Sequence, residues 1–350
     1  MESFRNLGQR FDLVPAGIGR QLSQIDIARG RQEAFARQHP AALEGLKQAA
    51  LIQSVEASNA IENIVAPRRR LEALVAQTAT PRDRSEAEIA GYRAALGTIH
   101  ASAEHIPFTG SVVRQFHRDL YQFTGRPGGA WKGVDNLVTE VGPDGAVAVR
   151  FKPVSAFATP GAMEDLHQCF AVAWEADHYH RLLLAGAYVL DFLVIHPFTD
   201  GNGRMSRLLS LLLLYQGGYG VGRYVSLEKL VEESKETYYE ALGASTVGWH
   251  DATHDLWPWL SYFLGIVAAA YRFFEPRAEA ATAGRGSKAE LVKAFVRGHV
   301  SDQFTFAEVR RAAPGVSDEY IRQVLRDLRD SGAIEVRGAG RGATWHRLHK

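Results

Sequence analysis

The densest chemistry in the chain lies in one stretch, His196-Pro197-Phe198-Thr199-Asp200-Gly201-Asn202-Gly203-Arg204-Met205-Ser206-Arg207. Pro197 forbids simple continuation of the apolar run Leu190–Ile195, so a helix there delivers a histidine to its end. Gly201 and Gly203 allow backbone angles that other residues resist, and successive N–H groups can then form an anion-cradling nest. A helix starting at this point adds the positive end of its dipole. Arg204 and Arg207, three apart, share a face of that helix and aim near the same anion. Asp200 is the one carboxylate beside the loop, and it would repel phosphate unless it held a hydrated Mg²⁺ shared with the phosphates. His196 is placed to take a proton from an attacking hydroxyl. Singly, each piece has a plainer reading: a structural histidine, a glycine turn, two arginines on a solvated face. Their coincidence in one stretch favours phosphate chemistry.

The segment matches the Fic motif, HPFx(D/E)GNGRxxR, at every specified position, and the chain resembles Fic-domain nucleotidyl transferases over about residues 50–275. In that family the usual reaction moves AMP from ATP to a Ser, Thr or Tyr hydroxyl of a protein and releases pyrophosphate. The resemblance implies that His196 is the general base and Asp200 the Mg²⁺ ligand. It also implies that Gly201, Asn202, Gly203 and Arg204 hold the α- and β-phosphates, with Arg207 toward the terminal phosphate. Charge building on phosphoryl oxygens suits such a site, where positioning and cationic stabilisation supply most of the catalysis.

A second motif, Ser58-Asn59-Ala60-Ile61-Glu62-Asn63, matches the family's inhibitory pattern (S/T)xxxE(G/N). Ser58 and Glu62 are four apart on one helical face, and Asn63 suits a helix C-terminus. The resemblance implies that Glu62 pairs with Arg207 and blocks productive placement of the terminal phosphate. A solvated glutamate is the plainer alternative. In some relatives the same glutamate orients water for removal of AMP, so de-AMPylation stays open as an alternative direction.

Trp131–Pro153 is rich in Gly, Val, Thr and Asn, alternates through Val147, Val149 and Phe151, and carries Pro143-Asp144-Gly145 as a hairpin turn. The resemblance makes it a flap over the site that pairs by backbone with the target segment. Leu137, Val138, Thr139 and Glu140 are its candidates for contact with nucleotide or target. Downstream, Tyr238 resembles the family tyrosine that approaches the nucleotide base, while Thr246 stands where relatives can carry an asparagine. Transfer of UMP, GMP or a phosphate-containing head group is an alternative within the fold. Gly201 and Gly203 favour a nucleoside triphosphate, because the phosphate-transferring variants carry Ala and Lys there.

The elements that must position these residues are mostly helical. Apolar positions recur at helical spacing from about Ala16 to Arg37, Ala41 to Asn63, Arg84 to Ala103, Thr109 to Tyr121 and Pro160 to Trp174. They recur again at His180–Ile195, Arg204–Gln216, Ser226–Leu242 and Leu256–Phe274, with Pro40, Pro67, Pro81 and Pro107 as stops. The expected fold is a mostly α Fic-type helical bundle with a β-hairpin flap, plus a C-terminal winged helix-turn-helix domain. The divisions are an N-terminal helical region (1–105) carrying the inhibitory motif, a catalytic core (106–275), a small, polar linker (276–287) and the tail (288–350).

In the tail, a helix over Glu290–Arg297 precedes the capping signal at Thr305–Glu308. Pro314-Gly315 makes a turn and Ser317 caps a helix to Asp330. Two short strands follow, Ala333–Val336 and Ala343–Leu348. Residues 285–350 hold 13 lysines and arginines against 8 acids, net +5, and the remainder holds 27 against 31, net −4. The basic tail admits a reading of another class, a DNA-binding regulator with Arg322, Gln323 and Arg326 on the exposed face, or a device that docks protein targets.

The whole chain of 350 residues nets +1, so neutrality describes neither part. A 46% hydrophobic, 23% charged composition excludes disordered, collagen-like and low-complexity classes. A single cysteine, Cys169, forms no internal disulfide. The start has no signal-like apolar stretch, and runs such as Leu208–Tyr215 fall short of the roughly 18 residues a membrane span needs. The expected setting is cytoplasmic without membrane contact. The expected partners are ATP, a protein hydroxyl and Mg²⁺, and a homodimer is among the assemblies open to the chain.

Overall fold

Prolines and polar caps divide the N-terminal half into helices. The computed structural model describes residues 1–350 except 142–146, 283–286, 300–301, 314–315, 339–342 and 349–350; residues 139–141, 147–149, 282 and 287 are described by backbone alone. Helices α1 (Leu7–Phe11) and α2 (Ala16–Gln38) precede Pro40, and α3 (Glu44–Ala60) follows it. The chain leaves α3 through a left-handed Asn63 (φ 59°), with the Ile64 N–H donating back to the Asn59 carbonyl at 3.0 Å. Pro67 does not simply stop a helix; it starts α4 (Arg68–Val75), an element not expected from the sequence, because proline lacks only the N–H that a first turn does not use. Asp83 caps α5 (Arg84–Ser102) and Thr109 caps α6 (Gly110–Tyr121), each through a side-chain oxygen.

Strands β1 (Val138–Val141) and β2 (Val147–Phe151) then pair antiparallel, Val138 opposite Phe151, with an irregularity between Val138 and Thr139. The Pro143-Asp144-Gly145 turn lies outside the described residues. Next come α7 (Thr159–Ala176), α8 (Arg181–Ile195), α9 (Asn202–Gln216), α10 (Leu227–Glu233), α11 (Lys235–Thr246) and α12 (Trp257–Thr282). The helix expected over Ser226–Leu242 is two helices. Ser234 breaks it (φ −117°, ψ 33°), and its hydroxyl bonds the Leu230 carbonyl and the Tyr262 hydroxyl.

The chain forms two compact units, the first made of Met1–Gln24, Ile52–Gly220 and Leu227–Val267. Its centre is α8, where every residue from Leu182 to Ile195 is buried, packed between α7 and α9. A helix apolar on all sides save for the buried, hydrogen-bonded Asp191 belongs inside a bundle, and at 15 residues it is too short to cross a bilayer. Among the described residues no helix is long and apolar enough to cross a membrane. The α8–α9 turn carries the motif, so the most buried helix ends at the candidate base.

The second unit comprises Ile25–Leu51, Val221–Ser226 and Ala268–Lys350. Residues 276–282, expected as linker, continue α12 through Pro276. The surrounding alanines favour helix, and Ala278 and Ala280 are buried, which offsets the one N–H bond that proline removes. The rest is α13 (Ser287–Gly298), β3 (Gln303–Thr305), α14 (Phe306–Ala312), α15 (Asp318–Asp330), β4 (Ile334–Arg337) and β5 (Thr344–Arg347). Its three strands form one antiparallel sheet in the order β3-β5-β4, over a core that includes Val292, Phe295, Phe304, Val309, Ile321 and Leu325. Strand β3 was not expected; three residues are too few to show a period. The Pro314-Gly315 turn lies outside the described residues.

Candidate active site

His196 follows the last turn of α8 in the left-handed region (φ 51°, ψ 60°), which turns the chain away from the helix axis. Its N–H donates to the Phe192 carbonyl at 3.0 Å, and its Nδ1 lies 3.2 Å from the Leu193 carbonyl. A carbonyl only accepts, so Nδ1 carries the proton and Nε2 keeps a lone pair. Burial, only partly opposed by the Leu193 bond, holds the imidazole down at about 4. His196 is therefore a neutral base at neutral pH. The Phe151 ring of β2 meets it edge-on at 6.3 Å, so the hairpin reaches His196.

The loop after His196 is tied to itself. The Asn202 side chain accepts from the Phe198 N–H at 2.9 Å and donates to the Phe198 carbonyl at 2.7 Å. Its amide closes the loop, leaving its main-chain N–H, with those of Gly203 and Arg204, as the first-turn donors of α9 without a helical acceptor. Gly201 takes φ 81°, and a Cβ there would press on Tyr121 and Leu120. From below, His117 of α6 stacks flat on Phe198 at 3.7 Å. Its Nδ1 accepts from the Gly129 N–H, so Nε2–H donates to the Asp200 carbonyl at 3.1 Å. Burial keeps His117 neutral, down at about 4.

The two motif arginines are held by different carboxylates. Arg204 is 1% exposed; it donates to Glu88 Oε2 of α5 at 2.7 Å and to the Tyr121 hydroxyl at 3.0 Å. Arg207 donates through Nε to Ser58 Oγ at 2.8 Å, and through Nη2 to the Ser58 carbonyl at 2.9 Å and Glu62 Oε1 at 2.8 Å. Burial works to lower the Arg207 guanidinium, but the charge and hydrogen bond of Glu62, with Tyr92 and Tyr238 beside it, together raise it. The expected Glu62–Arg207 pair is thus formed. The same Glu62 oxygen sits where a side chain at Gly203 would begin, so a Cβ there would collide with it. A carboxylate therefore rests on the glycine of the anion loop.

Behind Arg207 lies a buried chain of hydroxyls that the sequence did not disclose. Ser58 bonds Tyr92, and Tyr92 donates to Glu228 Oε1 at 3.0 Å. Ser54, one turn before Ser58, donates to Glu228 Oε2 at 2.7 Å. Ser54, Ser58 and Glu62 are spaced by four, so one face of α3 and the turn after it supply all three.

Tyr238 is buried against Trp259 and Tyr262 and, with Arg207 and Ser206, lines a small cavity of about 50 Å³. Its neighbour Tyr239 lines a larger cleft of about 530 Å³ with Val138, Arg150, Phe151, Lys235 and Leu242, and carries the Arg150 guanidinium 4.1 Å over its ring. Leu137 is exposed. Thr139 and Glu140 are described only by their backbone, opposite Val149 and Ala148. Thr246 bonds its own helix at the Gly243 carbonyl.

Asp200 is exposed, with Oδ1 accepting from the Gly201 N–H at 2.7 Å. Among the described residues no group of three His, Cys, Asp or Glu side chains converges to hold a metal ion. One exposed carboxylate beside an anion loop fits a hydrated Mg²⁺ that takes its other ligands from phosphates and water.

Residues 107–214 match the family model described as Fic/DOC family. The chain contains a Fic/DOC family domain. Its fold is similar to that of a Fic family protein from Desulfovibrio desulfuricans G20, at 21% identity and TM-score 0.62, covering 97% of this chain and 98% of that one. It is also similar to a Fic domain containing signaling protein from Bacteroides thetaiotaomicron VPI-5482, at 20% identity and TM-score 0.62, over 74% of this chain and 97% of that one. Fic-1 from C. elegans is a third likeness, at 22% identity and TM-score 0.54, over 75% of this chain and 71% of that one. At these identities the likeness is one of fold. Within the Fic domain, His117, Tyr121 and Lys132 serve the motif loop without belonging to the motif. The visible signal was weak: His117 and Tyr121 are four apart on α6, as helix-surface residues commonly are.

Proposed function

We propose that the protein is an autoinhibited protein adenylyltransferase, moving AMP from ATP to a Ser, Thr or Tyr hydroxyl of a target protein or of itself. The observation that carries this reading is the Glu62 carboxylate lying on Gly203 and paired with Arg207, an anion of the chain seated in a loop built for anions. His196 supplies the second half. Its Nε2 lone pair takes the proton of the target hydroxyl while the hydroxyl oxygen bonds the α-phosphorus. The bond from that phosphorus to the bridging oxygen breaks, and pyrophosphate leaves.

The first-turn N–H groups of α9 bind phosphate oxygens, and Arg207 takes the terminal phosphate once Glu62 withdraws. Arg204, committed to Glu88 and Tyr121, contributes charge from within. Mg²⁺, held by Asp200 when bound, would neutralise charge on the phosphate oxygens. The cleft under β2, with Tyr239 and Leu242, has room for a nucleoside. Leu137, exposed just before β1, supports a reading in which this stretch contacts the target.

The test is incorporation from α-labelled ATP with Mg²⁺. Glu62→Gly is expected to raise incorporation, self-labelling included, and His196→Ala in that background to abolish it. Incorporation that survives His196→Ala sinks transfer through this site. Equal incorporation by the wild type and Glu62→Gly sinks autoinhibition. Loss of label from a pre-labelled protein, dependent on Glu62, would turn the direction toward removal.

A second reading concerns the tail, whose helices and β3-β5-β4 sheet follow the order of a winged helix. It is favoured by α15, where Ile321, Val324 and Leu325 are buried while Arg322, Gln323 and Arg326 are exposed. A salt-dependent gel shift of the full chain on duplex DNA, lost in Arg322→Ala/Arg326→Ala, tests it. No shift at low salt removes DNA and leaves protein docking.

A further inference from the structure

A buried ammonium with no carboxylate at ion-pair distance, among the described residues, needs another purpose. Lys132, just before the hairpin, is 3% exposed. Its Nζ donates to the Ile195 carbonyl at 3.0 Å and to Asn136 Oδ1 at 2.8 Å, and its main-chain N–H donates to the Pro197 carbonyl at 2.8 Å. Ile195 and Pro197 are the residues on either side of His196. Asn136 adds a bond from Nδ2 to the Phe198 carbonyl at 3.3 Å. One short segment therefore holds the carbonyls of residues 195, 197 and 198. Burial pushes the Lys132 ammonium down to about 8, a cost that an apolar residue would avoid.

Two features of His196 make this grip useful. A residue with a Cβ enters the left-handed region at a cost, so its backbone stays at φ 51° only if its surroundings hold it there. The carbonyls of the last turn of α8 also lack helical donors, and a cation at a helix C-terminus answers both the missing donor and the dipole.

We propose that Lys132 is a positioning residue: it braces the left-handed turn at His196 and so fixes the direction of the base. The brace reaches His196 through the Ile195 carbonyl of the peptide group before it and the Pro197 carbonyl one peptide group further on. It rests on the adenylyl-transfer reading for its consequence in turnover, and on geometry alone for its effect on the ring.

The experiment has two arms on the full chain. In the Glu62→Gly background, Lys132→Met keeps the aliphatic stem and removes the ammonium. It should lower kcat by about ten- to a hundredfold, with KM for ATP changed by less than about twofold. Lys132→Arg, which restores a cationic donor, should recover most of that loss. Unchanged kcat in Lys132→Met, or kcat and ATP affinity lost together without rescue by arginine, overturns the proposal. Asn136→Ala, with the ammonium retained, should lower kcat in the same direction by a few-fold and serves if Lys132→Met does not fold.

The second arm needs no turnover. In protein labelled with ¹⁵N-histidine, with His196 assigned by His196→Ala, Lys132→Met should change the His196 ring-nitrogen signals and leave those of His117 in place. Unaltered His196 signals overturn the brace whatever the reaction is. A missing His196-dependent label in the Glu62→Gly parent overturns the reaction and leaves this arm to decide the brace.

Discussion

Two carboxylates hold the two arginines of the motif at nearly the same distance, 2.7 Å for Glu88 on Arg204 and 2.8 Å for Glu62 on Arg207, but one pair is sealed and the other is not. Both side chains of the first pair are at most 2% exposed, whereas Glu62 is 36% exposed. A sealed pair cannot part without stranding a charge in the core, and an edge pair can give its carboxylate back to water. Bond length does not separate a scaffold from a switch. Water access does.

Substitutions can break this contrast, and their expected costs in stability differ widely. Glu88→Ala strands the Arg204 guanidinium and should cost about 3–5 kcal/mol, read as a lower thermal midpoint with no gain in labelling. A stability close to wild type would mean that the two pairs do not differ in kind.

The next effect is protonic and also lies on the sealed side. His117 holds its neutral form down to about 4 in the folded chain but protonates near 6.5 when unfolded. The unfolded state therefore binds more protons between those values, and stability falls as pH is lowered from about 6.5 to about 4. By pH 5 the loss is on the order of 2 kcal/mol. Thermal midpoints at pH 7 and pH 5 should converge in His117→Gln relative to wild type, and an unchanged spread would remove His117 as the cause.

Ser58→Ala lies between the two sides. It removes one of the bonds on Arg207 and should cost about 1 kcal/mol, with a labelling increase of a few-fold. Glu62→Gly should cost least, below about 1 kcal/mol, and yet raise labelling most, by about tenfold or more. A large stability loss in Glu62→Gly would make the edge pair structural after all.

The reach of the sequence follows the same division. The motif loop was legible because its residues are contiguous and its glycines, acid and arginines state their chemistry by type. Glu62 was legible because Ser58, Glu62 and Asn63 match the family's inhibitory pattern; their spacing alone gives only a helix face and its stop. Glu88 was not. It lies four residues from Arg84, pairs with it at 2.7 Å, and looks in sequence like any surface acid on a helix. Only packing brings it to Arg204, 116 residues away. Lys132, Tyr92 and Glu228 were hidden for the same reason, since each acts through a neighbour that the fold supplies. The main helices were legible from their periods. The break at Ser234 and the helix through Pro276 were not, because a side-chain bond decides the first and burial of two alanines the second.

The seat of Glu62 on Gly203 has a further consequence when the carboxylate is counted as a ligand. Under the proposed function it would be a competitor fixed to its own receptor, its effective concentration set by the few residues joining it to α3 and not by the amount of protein. Dilution leaves such a block untouched. If the site takes ATP as proposed, nucleotide would erode the block in proportion, and the concentration of ATP and the stiffness of one helix end would act as opposing dials.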